Sequence, residues 1–138
     1  MAKAKNFLFV CKGNDARSQM AEGFARSMAI GAVNVWSAGL KPRSLNRHAV
    51  EVMAELGIDI TKQKPTELKA VPVAKIDTII TLSSDSDALP KMDKKKVTQI
   101  HWPLNDPTTT AGSDAEIKKA FRAVRDEIRN RVQVLLVG

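Results

Sequence analysis

Cysteine occurs once in this chain and tyrosine not at all, and aromatic residues make up only 4% of it. A lone thiol cannot form an internal disulfide, so a stapled secreted scaffold is excluded. A reactive thiol in a reducing, cytoplasmic setting fits that count better. No apolar run approaches the roughly 20 residues that cross a bilayer. The N-terminal stretch also lacks a signal peptide's apolar core and cleavage site, so neither membrane nor leader is expected. The scarcity of rings argues against a dedicated nucleic-acid binder, whose basic strip interleaves cations with aromatics.

What is present is charge and a balanced core. Lys and Arg number 22 against 15 Asp and Glu, a formal net charge of +7, which favours anionic ligands. The cations are scattered; Lys91, Lys94, Lys95 and Lys96 read as a solvated patch or as a dock for an acidic redox partner. With 138 residues and 43% hydrophobic content, one globular domain over residues 1–138 is expected.

The most informative stretch lies near the start. Residues 5–10 end in the apolar run Phe7, Leu8, Phe9, Val10, a buried strand by pattern. Cys11, Lys12, Gly13, Asn14, Asp15, Ala16, Arg17 and Ser18 follow, and a helical pattern begins at Ser18. A strand, a tight loop and a helix N-terminus in that order turn backbone N–H groups toward one point, which suits an anion. There Cys11 would be a thiolate nucleophile facing a tetrahedral oxyanion, with Arg17 as the planar fork on two of its oxygens. Ser18 can donate to the sulfur. Asn14 suits a left-handed backbone. The plainer reading of a lone cysteine after a strand is a small buried hydrophobe.

The rest of the chain alternates helix and strand. Helix is expected over residues 18–30, ended by Gly31, then a strand over 33–36 that turns out at Ser37, Ala38 and Gly39. Ser44 is the expected cap of a helix over 45–56, with Leu45, Ala49, Val52, Met53 and Leu56 inward and Gly57 closing it. Residues 61–75 read as loop with a short helix around Glu67, 76–82 as a buried strand, 83–96 as loop, and 97–102 as the fourth strand. Ser113 with Glu116 three residues on opens the last helix as a capping box. Its stripe is Ile117, Phe121, Val124, Ile128, Val132 and Leu135. This alternation predicts a three-layer α/β fold: a four-stranded parallel sheet flanked by helices, with ligands at the carboxyl ends of the strands. Cys11 and Asp106 both follow strands and so share that edge. By residue pattern Asp106 is a turn former ahead of Pro107. His48, on an exposed helix face, and His101, within a strand, read as structural.

The segment 11–23, CKGNDARSQMAEG, resembles the C-x5-R-S loop of the low-molecular-weight protein tyrosine phosphatase fold, most closely its arsenate reductase branch. Further pieces come in the family's order: Ser37-Ala38-Gly39, Gly57-Ile58-Asp59-Ile60, Thr81-Leu82, His101-Trp102, Asp106-Pro107 and the run from Val124 to Ile128. The resemblance implies Cys11 as nucleophile, the amides of Lys12, Gly13, Asn14, Asp15, Ala16, Arg17 and Ser18 as oxyanion cradle, and Asp106 as general acid. No tightly bound cofactor is implied. Some reductases of this family bind a potassium ion beside the loop, and Asn14, Glu22, Ser37 and Glu67 match those positions.

Two chemistries share this apparatus. A phosphatase passes through a cysteinyl phosphate that water clears. An arsenate reductase needs two thiols, and this chain has one; Ser83 stands where that branch carries its second cysteine. Arsenate reduction would then draw on an external thiol: glutaredoxin with glutathione, thioredoxin or another low-molecular-weight thiol. Asp15 departs from the family's usual small or apolar residue and should repel a dianion, partly offset by Lys12. A non-catalytic oxyanion binder is therefore a third reading. Thr108 after Asp106-Pro107, in place of an aromatic, counts against phosphotyrosine as substrate.

Overall fold

The computed structural model describes residues 5–83 and 97–137. The expected loop over 83–96, apart from Ser83 itself, and the lysines at 91, 94, 95 and 96 lie outside the described residues. Four parallel strands form one sheet: β1 (Lys5–Cys11), β2 (Val33–Gly39), β3 (Thr78–Thr81) and β4 (Thr98–His101), in the order β2-β1-β3-β4. Strand β1 thus has neighbours on both sides, and its side chains alternate between two apolar clusters. Phe7, Phe9 and Cys11 join the larger cluster, while Leu8 and Val10 join the smaller with Ala38, Val71, Ile76 and Ile79.

Among the described residues, three helices cover the first face: α1 (Arg17–Met28), α2 (Arg47–Ala54) and α3 (Asp114–Val137). Buried Met20, Phe24, Val52, Met53, Phe121, Ile128 and Val132 interlock there. Short 3-10 turns at Leu68–Ala70 and Val73–Lys75 flank the opposite face, where Leu68, Val71 and Ile76 pack. The strand-helix alternation therefore yields the expected layered parallel sheet.

Boundaries moved where tertiary hydrogen bonds outvoted local pattern. Ser37, Ala38 and Gly39 do not turn out of β2 but extend it, since β1 pairs with it in register as far as Cys11 opposite Gly39. Asn46, not Ser44, caps α2: its Oδ1 accepts from the amides of His48 at 2.8 Å and Ala49 at 3.3 Å. Residues 41–46 are instead strapped onto the Cys11 loop, with amides of Lys41, Arg43 and Asn46 donating to the carbonyls of Lys12, Gly13 and Asp15, each at 2.9 Å. Helix α1 ends two residues before its expected limit, where Ala29 turns extended. Leu56 lies beyond α2 and is 37% exposed rather than inward. Gly57 does adopt a positive φ of 76° there. His48 is half-buried, not on an open face, because its ring packs on Phe121 and its Nε2 meets Asp114 Oδ1 at 2.8 Å.

The capping box at the start of α3 is formed: Ser113 Oγ accepts from the Glu116 amide at 3.2 Å, and Glu116 Oε1 reaches back to the Ser113 amide at the same distance. Helix α3 is tied to α2 by ions as well as by its stripe. Glu55 receives Arg122 at 2.6 Å and Arg125 at 2.7 Å, and buried Arg125 also donates to the Val52 carbonyl at 2.9 Å.

Candidate active site

The loop between β1 and α1 sits where the chain order of the sheet reverses: β2 lies on one side of β1 and β3 on the other. That switch point, at the carboxyl ends of parallel strands, is where such sheets leave room for ligands. Helix α1 begins at Arg17 with no side chain capping it and no acidic residue in its first turn. Its N-terminal dipole is left uncompensated, which favours an anion.

Cys11 is buried, at 2% exposure, as a small hydrophobe would be. What departs from that plainer reading is its polar company. Its Sγ accepts from the Asn14 amide at 3.2 Å and lies 2.9 Å from Ser18 Oγ. Both are donors suited to a thiolate.

The direction of each proton can be worked out from one fixed donor. The Thr66 backbone N–H can only donate, and it points at Asn14 Oδ1 at 2.8 Å. Asn14 Nδ2 therefore faces the other way, toward Ser18 Oγ at 2.7 Å and Ser37 Oγ at 3.0 Å. Having accepted from Asn14, Ser18 can turn its own proton to Cys11. Ser37 in turn donates to Glu22 Oε1 at 2.5 Å. Asn14 is fully buried with φ of 46°, and its carbonyl is satisfied by Gln19 Nε2 at 2.9 Å. Gln63 then holds Gln19 through its side-chain oxygen at 2.8 Å. The left-handed turn at Asn14 is thus fixed from four sides.

Arg17 and Asp106 are brought together from distant parts of the chain. Arg17 Nη1 donates to the Leu104 carbonyl at 3.0 Å, and its Nη2 stands 3.5 Å from Asp106 Oδ2. Asp106 keeps its other oxygen for Thr108, which donates from its amide at 3.0 Å and its hydroxyl at 2.7 Å. The carboxyl is thereby aimed at the loop by the turn that Pro107 opens.

Asp15 does face the site's rim, but the cation that meets it is Arg43, at 3.2 Å, while Lys12 is exposed. Arg43 Nη2 is also 4.0 Å from Asp106 Oδ2. Gly13 and Ala16 are buried beneath this rim.

Of the four potassium candidates, Asn14, Ser37 and Glu22 lie in one hydrogen-bonded chain, and each has further partners. Glu22 Oε2 already holds Arg26 at 2.9 Å, Asn14 Oδ1 is taken by Thr66, and the Glu67 carboxylate pairs with Lys69 at 3.2 Å. Among the described residues no group of three or more His, Cys, Asp or Glu could hold a metal. His101 meets Thr81 Oγ1 at 2.5 Å within the sheet and takes no part in the loop.

Pattern reading missed Arg43, Gly39, Gln19, Gln63 and Thr66. Gln19 was visible in the loop's own motif, directly after Ser18; the others are 21 or more positions from Ser18 and carry no local signal.

A model of the family described as low molecular weight phosphotyrosine protein phosphatase matches residues 6–137. Arsenate reductase 1 of Staphylococcus epidermidis is 39% identical over 129 residues, spanning 94% of this chain and 93% of that protein. The arsenate reductase of Bacillus subtilis is 37% identical over 129 residues, with the same shares of 94% and 93%. Among solved structures, an arsenate reductase in the phosphate binding state is similar with a TM-score of 0.84 and 34% identity, covering 96% of this chain and 97% of that one.

Proposed function

Since the chain belongs to the low molecular weight phosphotyrosine protein phosphatase family, we propose that it is an arsenate reductase working through one protein thiol and an external one. The observation that carries this is the Cys11 sulfur held by the Asn14 amide and the Ser18 hydroxyl at the N-terminus of α1. The loop amides of residues 12–17 and the Arg17 guanidinium hold the oxyanion. Arg17 keeps one arm on Leu104, and the arm facing Asp106 stands at ion-pair range, ready to take an oxygen.

The Cys11 thiolate attacks arsenic, forming an S–As(V) bond. One As–O bond breaks, and Asp106 supplies the proton with which that oxygen leaves as water. A thiolate from outside then attacks Cys11 Sγ. The S–As bonding pair stays on arsenic, which departs as arsenite, reduced by two electrons, and a mixed disulfide remains on Cys11. A second external thiol exchanges that disulfide and returns Cys11 to its free state. Glutaredoxin with glutathione, thioredoxin or a low-molecular-weight thiol can fill this role. The chain has one cysteine, so the resolving sulfur cannot be its own.

That same count favours a second reading, hydrolysis of phosphate monoesters, which needs no second thiol. Asp106 would protonate the leaving alcohol, and water would clear the cysteinyl phosphate. Steady-state assays separate the two. Thiol-dependent arsenite formation that disappears in Cys11→Ser supports the reductase. Release of p-nitrophenol from its phosphate without thiol-dependent arsenite replaces it with the hydrolase.

A further inference from the structure

We infer that Arg43 is a positioning residue for oxyanion affinity, acting by neutralising Asp15 at the rim of the Cys11 loop. The inference rests on that loop being an oxyanion site, whichever of the two reactions follows.

A carboxylate beside an anion site is a liability. The Asp15 side chain is only 10% exposed, so water does little to screen it, and among the described residues the cation paired with its carboxylate is Arg43. Arg43 reaches it at 3.2 Å and also approaches Asp106 at 4.0 Å, while Arg17 approaches Asp106 at 3.5 Å. Four charges of alternating sign, Asp15, Arg43, Asp106 and Arg17, therefore form a row beside the loop. Removing Arg43 would leave two carboxylates against a single guanidinium, just where an arsenate or phosphate dianion must enter.

The backbone is arranged to hold Arg43 in that position. Its own amide donates to the Gly13 carbonyl at 2.9 Å, and its neighbours at 41 and 46 are bonded to Lys12 and Asp15. A β-carbon on Gly13 would stand 2.7 Å from Asp15 Oδ1 and 2.8 Å from Arg43 Nε, so the ion pair rests directly on the loop glycine. Nothing local in the sequence joins positions 15 and 43; the strap does.

The test is calorimetric titration of inorganic phosphate into the full-length protein, which needs no turnover. Arg43→Ala should weaken phosphate by about tenfold or more, because a poorly solvated carboxylate is left unpaired. Arg43→Lys should recover part of that affinity. Asp15→Asn combined with Arg43→Ala should return it to within about threefold of the parent, since the repelling charge is gone. Melting temperatures of all variants guard against misfolding. Unchanged affinity in Arg43→Ala overturns the inference, and so does a double variant as weak as the single. A parent protein that binds no phosphate overturns it as well. Phosphate binding without arsenite formation would sink the reductase reading and leave this one standing.

Discussion

Gly39 of β2 lies flat against Asn14 of the loop: a β-carbon there would stand 2.9 Å from both the Cβ and the backbone nitrogen of Asn14. The Gly13 carbonyl carbon would be 3.0 Å away. That nitrogen is the donor to the Cys11 sulfur. Two of the three neighbours are backbone, so no rotamer change relieves the clash. Gly39→Ala is expected to cost about 1–3 kcal/mol of stability by overpacking. Phosphate affinity should fall at least about tenfold as the Asn14 amide is displaced from Sγ. Thermal melts and phosphate titration check both; a variant that binds phosphate like the parent refutes the claim.

Asp106→Asn keeps an acceptor for Thr108 but cannot give up a proton. On the hydrolytic reading, turnover of phenyl phosphate should fall by about 10²–10⁴. The loss on p-nitrophenyl phosphate should be smaller, since that leaving group departs without much help. Equal losses on both esters would assign Asp106 to binding rather than to proton transfer.

Glu55 carries a pH signature. The hydrogen bond from Arg122, together with Arg125, holds its carboxyl down from the ordinary 4.5 to about 2. A depressed folded-state value means the stabilisation is complete above about pH 4.5 and disappears as pH falls through 2. Glu55→Gln should flatten that segment of the melting-temperature profile. Added salt should weaken the effect, because the group is exposed. An identical acid profile in the variant would dismiss it.

Ser113→Ala removes the acceptor for the Glu116 amide and should cost about 1 kcal/mol. Urea denaturation reads this directly. Glu116→Ala in the same background should add less than it does alone, since the two side chains satisfy each other's amides.

The candidate site was legible in the sequence because Cys11, the loop amides and Arg17, the groups proposed as nucleophile, cradle and fork, are contiguous from Cys11 to Ser18. The layered fold was legible for a related reason, since apolar strands and helical stripes alternate along the chain. What stayed hidden depends on partners far away in sequence. Ser44 has a good cap residue's chemistry, yet the bonds from Lys41 and Arg43 to the loop keep the chain extended until Asn46. Ser37, Ala38 and Gly39 look like a turn but are claimed by pairing with β1. Gly39 matters because of what lies across from it, which no local pattern encodes. Asp15 was legible as a problem, but its answer at Arg43 was not.

The grip of Arg17 on the Leu104 carbonyl joins positions 87 apart, and Asp106 arrives with the same segment. The donors to the Cys11 sulfur and the strap over the loop all come from residues 14–46, whereas the Arg17 anchor and the neighbouring carboxylate come from residues 104–106. The two parts are therefore separable: a change in the 104–107 segment can slacken the guanidinium and shift the carboxylate while leaving both donors to the sulfur in place.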